Sequence, residues 1–206
     1  TSGTITLEKG GSADSAANLT QTFTVTTGNT LTVTEEDVVA GKVITGDVTI
    51  TAAITAAANL VQITGIITLV AGGVLPTNGN MPTAFTTNDT LSSVSANISG
   101  KTITAGDNDV TITDAITNVT DLSAVVTSGI VTLGVGGVLP PNMPTVFTTN
   151  GILSSVAANI SDKTITAGTN NVNVTDAITN TTVLSAVVTS GTITLEKGGS
   201  ADSAAN

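Results

Sequence analysis

The first eighteen residues, TSGTITLEKGGSADSAAN from Thr1 to Asn18, recur unchanged from Thr189 to Asn206. A globular enzyme gains nothing by ending on a copy of its own beginning, whereas a window cut from a tandem array must look this way. Repetition therefore constrains the fold more than any single residue does. It points to an extended structural or adhesive protein.

The period divides again. Phe23, Phe85 and Phe147 are the only aromatic residues and stand 62 apart, each in a threonine-rich stretch. Between the second and third copies FTTN, LSSV, ANIS, KTITAG, TDAITN and LSAVVTSG all recur at an offset of 62. GGVLP recurs at 64 instead, because Thr77 to Asn80 are replaced by Pro141 and Asn142, which marks a tolerant loop. The first copy is more diverged. The repeats are assigned to residues 1–68, 69–131 and 132–188, with 189–206 opening the next period.

Composition limits the chemistry. The 206 residues include no Cys, His, Trp, Tyr or Arg, and the basic residues are Lys9, Lys42, Lys101, Lys163 and Lys197. Without His or Cys there is no ordinary near-neutral base, thiol nucleophile or soft metal ligand. Without Arg there is no bidentate clamp for phosphate. These absences lead us to expect no enzyme and no cofactor. A net charge of −10 argues against nucleic acid and anionic membrane surfaces. A hydrophobic content of 40%, mostly Val, Ile, Leu and Ala, is enough to offset the ordering entropy, so the chain is expected to fold.

The alternation of Ile or Val with Thr in TITL, TFTVTT, LTVT, DVTITA, KTITA, VTITD and VNVTD has period two, the pattern of strands with one buried face. Gly, Asn and Asp separate the runs as turn formers. The fold class expected is all-β, a repeat-built, parallel β-helix-like solenoid with short helical turns. The alternative is a string of small β-sandwich repeats, each short for a core of its own. One copy accommodates two coils of roughly 31 residues or three of roughly 20. Two are favoured, because each copy has two segments that read as helical turns: residues 34–41, 90–99 and 152–161, and residues 54–65, 116–129 and 178–191. In the first of these Thr34 and Asp37 are placed as a cap and its reciprocal partner.

The run VTITDAITNVTDLSAVVTSGIVTL, Val110 to Leu133, resembles the tandem repeats of giant secreted and cell-surface proteins of cyanobacteria and other aquatic bacteria. The likeness covers the second half of each repeat and not the GGVLP and MPT loops. It implies an extracellular or cell-surface, solenoid-like, adhesin-like protein. The calcium nonapeptide found in many such chains does not occur, since LGVGGVLP contains no aspartate.

Asp107 and Asp109, with Asp114 nearby, offer the hard oxygen ligands that calcium takes, and are the candidate metal residues. The third copy keeps only Thr169, Asn170 and Asn171 at the first cluster, so a structural turn is the simpler reading. Glu35, Glu36 and Asp37 read as the first turn of a capped segment. Threonine pairs such as 24 and 26, 49 and 51, and 102 and 104 invite an ice-binding reading, but their spacing along the chain is uneven. Glycosylation sequons stand at Asn18, Asn88, Asn97, Asn118, Asn159, Asn173 and Asn180. Lys42, Lys101 and Lys163 read as solvated residues that discourage edge pairing.

No signal peptide and no apolar span of eighteen residues occurs. The sequence thus leads to a structural segment of an extracellular filament, sheath or surface stalk. Its expected partners are copies of itself, with surface glycans as candidates and no nucleic acid or membrane insertion. The alternative function is an adhesin or ligand-binding module, calcium-dependent or ice-binding.

Overall fold

A computed structural model describes residues 4–13 and 22–199. Among the described residues the chain is all-β, with only a few single helical turns, and its sheets are parallel and stacked as a β-solenoid. Parallel neighbours need a crossover of a dozen residues or more, and here each coil is itself that crossover. The sandwich alternative, which needs antiparallel sheets, does not apply.

Two compact units are present, one comprising residues 1–109 and 124–129, the other residues 110–123 and 130–206. The first contains a seven-stranded sheet: Gly11–Ala13, Thr30–Val33, Asp47–Ile50, Ile67–Leu69, Ala84–Thr87, Thr102–Gly106 and Val125–Thr127. A second sheet holds Thr4–Leu7, Thr22–Val25 and Ile44–Thr45. On a third side Ile54 bridges Gly73, and Gly73–Val74 pairs with Leu91–Ser93. In the second unit Val110–Ile112, Val131–Leu133, Val146–Thr149, Thr164–Gly168 and Val187–Thr189 stack in one sheet. Gly137–Val138, Leu153–Ser155, Val172–Val174 and Ile193–Leu195 stack in another.

The core is a ladder. In the first unit Leu31, Val48, Ile67, Phe85, Ile103 and Val125 follow one another in register and are all buried. Each such side chain contributes roughly 1.5–3 kcal/mol on burial, and coils about 4.8 Å apart leave no room between them for water.

Among register partners the offset in sequence is shortest from Gly137 to Leu153, at 16, and longest from Ile103 to Val125, at 22. One copy therefore holds three coils and a fraction, not the two that the helical segments suggested. The fraction is one face. In the first unit Phe23 pairs with Ile44 in the three-stranded sheet, while Phe85 lies between Ile67 and Ile103 in the seven-stranded one. In the second unit Val110 pairs with Val131, while Val172 lies between Leu153 and Ile193 in the other sheet. Each copy advances the chain by three coils and one side of three.

The helical expectations hold only in part. Ser95–Ile98 and Ala157–Ile160 are single-turn α-helices. In the first copy Glu36–Val38 is a 3₁₀ turn whose N-cap is Glu35, with no side-chain cap bond, so the Thr34 and Asp37 cap does not form. The second set of segments contains no helix. The Thr117 amide donates to Thr120 Oγ1 at 3.1 Å while the Thr120 amide donates to the Thr117 carbonyl at 3.0 Å, and Thr179 with Thr182 repeats this. A threonine that bonds its own backbone competes with a helix, and the second and third copies each place one at this corner.

Candidate functional surface

The outward strand positions form threonine files. Ser12, Thr32, Thr49, Thr68, Thr86 and Thr104 lie in register across six strands of the first unit. Thr111, Thr132, Thr148 and Thr166 do so in the second. The uneven spacing along the sequence is thus absorbed in the corners, and it does not prevent a regular file. The file is one residue wide: beside it Thr30 faces Asp47 and Ala84 faces Thr102. A shallow depression of about 350 Å³ lies on this face, where Gly65 and Ala84 supply little side chain. Its one carboxylate, Asp47, accepts the Ile66 amide at 2.9 Å.

Not every hydroxyl faces out. Thr87, Thr149, Ser93 and Ser155 are buried, and each donates to a carbonyl one or two residues ahead: Asp89, Gly151, Val94 and Val156, at 2.7–3.0 Å. These inward hydroxyls end strands by turning the backbone, and alternation alone misassigns them.

The aspartate cluster is a corner. Asp107 accepts a hydrogen bond from the Ser128 hydroxyl of the adjacent coil. Asn108 Nδ2 donates to the Ala105 carbonyl at 2.8 Å, and Thr127 Oγ1 donates to the Asn108 carbonyl at 2.6 Å. The third copy repeats this frame without the aspartates: Asn170 donates to Ala167 at 2.9 Å and Thr189 to Asn170 at 2.6 Å. Asp109 is exposed, and Asp114 is half-buried in the other unit. Among the described residues no three carboxylates form a group that could hold a metal ion. Glu36 is likewise structural, buried and accepting the Thr55 hydroxyl at 2.6 Å.

The lysines depart most from expectation. Lys101 is 3% exposed, and its ammonium donates to the carbonyls of Asn78, Met81 and Pro82 at 3.4, 3.3 and 3.1 Å. Burial pushes its pKa below the usual lysine value. Lys163, half-buried, donates to the Met143 carbonyl at 2.9 Å. These two side chains pin the loop that follows GGVLP, a task that repetition could have suggested, since one lysine accompanies each GGVLP and MPT pair. Asp121 is held below the ordinary carboxylate range by hydrogen bonds from the Ser123 hydroxyl and amide, with Asn142 adding another.

The sequons separate by exposure. Asn88, Asn118 and Asn180 are exposed. Asn97 and Asn159 are half-buried, and their Nδ2 atoms donate to the Leu75 and Leu139 carbonyls at 3.3 and 2.9 Å. Asn173 sits within a strand between Ser154 and Thr194. Asn18 lies outside the described residues.

Ile193–Leu195 ends its sheet among the described residues. Ile193 and Leu195 are 39% and 38% exposed, while Val172 and Val174, their register partners in the coil beneath, are fully buried. No helix among the described residues is long and apolar enough to cross a membrane. The chain matches no protein-family model, no curated protein and no solved structure.

Proposed function

We propose that the chain is a structural repeat segment of an extracellular filament, sheath or surface stalk, built by continuous stacking or end-to-end strand pairing. The observation that carries this reading is the core ladder, in which each buried side chain sits in register on its equivalent in the next coil so that no coil has a core of its own. An open parallel edge is a template for further strands, and stacked repeats extend by nearest-neighbour contacts. The extracellular setting rests on the resemblance to secreted bacterial repeats. The role is mechanical, with no catalysis and no cofactor.

Electron microscopy of the purified chain tests it. A period of three copies is about ten coils, so at about 4.8 Å per coil filaments should repeat axially at about 48 Å. Dispersed compact particles under all assembly conditions would reject the role.

The threonine file favours a second reading, a binding face that orders water at ice. A thermal hysteresis assay separates it from the scaffold, since a passive filament gives none.

A further inference from the structure

We infer that Asn78–Gly79 is a self-modification site: the Gly79 nitrogen closes on the Asn78 side chain, and the ring reopens to an isoaspartate whose new α-carboxylate pairs with the Lys101 ammonium. The sequence contains two Asn-Gly steps, Asn78–Gly79 and Asn150–Gly151. Glycine favours such attack because it places no Cβ beside the nitrogen and leaves the peptide free to rotate. The structure separates the two steps. Asn78 and Gly79 are exposed, the Gly79 amide donates to no group among the described residues, and a Cβ added there meets nothing within 4 Å. At the other step the Gly151 amide donates to Thr149 Oγ1 at 3.3 Å, the same hydroxyl donates to the Gly151 carbonyl at 2.9 Å, and the Asn150 amide donates to the Leu133 carbonyl at 2.8 Å. A Cβ on Gly151 would collide with the Val135 carbonyl. Turning that peptide toward the Asn150 side chain breaks these bonds against a packed backbone. In the third copy's version of the 77–80 loop, Asn142 is followed by Met143, whose Cβ crowds the nitrogen.

Lys101 favours the reaction at both stages. Its ammonium, 3% exposed, donates to the Asn78 carbonyl at 3.4 Å. That carbonyl belongs to the peptide whose nitrogen attacks, and a cation on its oxygen stabilises the negative charge that develops as the N–H proton leaves. The nitrogen gives this proton to solvent and bonds to Asn78 Cγ, and the side-chain nitrogen departs as ammonia, leaving a five-membered succinimide. Water then adds at the main-chain carbonyl carbon of residue 78, the carbon polarised by Lys101. The bond from that carbon to the Gly79 nitrogen breaks, with the electron pair and a proton from the water going to nitrogen. The main chain now runs through Cγ, and the oxygen that Lys101 touches has become a carboxylate oxygen. An ammonium held only by neutral carbonyls thereby gains an ionic partner, the stronger kind of hydrogen bond.

Peptide mapping of chain aged at mildly alkaline pH reads conversion as a gain of one mass unit, and electron-transfer fragmentation separates isoaspartate from aspartate. In the folded chain the Asn78 peptide should convert at least ten-fold faster than the Asn150 peptide, and in concentrated urea the two should convert equally. The ratio of isoaspartate to aspartate at 78 should be higher in the folded chain than in urea. Lys101→Met should lower that ratio to the urea value while Asn150 stays protected, which reports that the fold is intact. Gly79→Ala should lose conversion at least ten-fold. Equal conversion at 78 and 150 in the folded chain overturns the inference, as does a folded-chain ratio no higher than in urea or a Lys101→Met variant, folded by the same criterion, that keeps the parent's ratio. Undiminished conversion in Gly79→Ala means direct hydrolysis of the side chain and overturns it too. If Asn150 loses its protection in Lys101→Met, the parent's folded and urea ratios decide.

Discussion

The close approach of successive coils makes a sharp prediction at Gly137. Its φ is +121°, a region that side chains rarely adopt, and a Cβ there would collide with the Ile116 carbonyl oxygen of the coil beneath and lie 2.7 Å from the Ile116 amide nitrogen. Holding alanine in that conformation costs roughly 1–3 kcal/mol. Relieving the clash means lifting one coil from the other. That weakens the Val138 amide bond to the Ile116 carbonyl and the Ile116 amide bond to the Gly136 carbonyl, now 3.0 and 2.9 Å, at roughly 0.5–1.5 kcal/mol each. Gly137→Ala should therefore destabilise by about 4 kcal/mol, the sum of the strain and the two weakened bonds. Gly79 is the control, with no left-handed φ and nothing within 4 Å of where a methyl group would stand, so Gly79→Ala should be neutral or stabilising by up to about 1 kcal/mol. Urea unfolding followed by circular dichroism measures both. Hydrogen exchange of the Ile116 and Val138 amides then localises the loss, because repeat arrays open in parts. A Gly137→Ala variant within about 0.5 kcal/mol of the parent, with those amides still protected, would refute the account of the corners.

Phe85→Ala removes the largest member of a buried ladder and should cost about 3–5 kcal/mol in the same urea assay. For Lys101, burial lowers the folded pKa, so between that value and the ordinary 10.5 the unfolded chain binds more protons and stability rises with pH. Urea midpoints taken from neutral to alkaline pH should show this gain in the parent and lack it in Lys101→Met. For Asp121 the depressed pKa gives a contribution that is present above the ordinary 3.8 and lost as pH falls through the folded value, and Ser123→Ala should move its carboxyl titration upward by NMR.

Much of the fold was legible in the chain. The KTITAG motifs at 101 and 163 contain the strands Thr102–Gly106 and Thr164–Gly168, and DVTITA contains Asp47–Ile50, because a period-two pattern of β-branched residues has one stable use. The tolerant loop at Thr77 to Asn80 is also where the pattern put it, as a turn in which nothing is buried. Less legible were Gly137–Val138 and Val125–Thr127, strands too short to show alternation. The candidate site residues were the least legible. Asp107 and Lys101 owe their roles to Ser128 and to the 78–82 carbonyls, groups about one coil away in sequence.

By itself the sequence determined that this protein repeats, that its units are strands, and that its opening segment returns at Thr189. Only the tertiary structure decided how many coils a copy spans and which side of the solenoid each copy faces. Side-chain alternation fixes which face of a strand is buried, but the advance per coil is set by corner lengths and by glycines that let one backbone lie on another. Those quantities exist only between coils, so no single coil's sequence carries them.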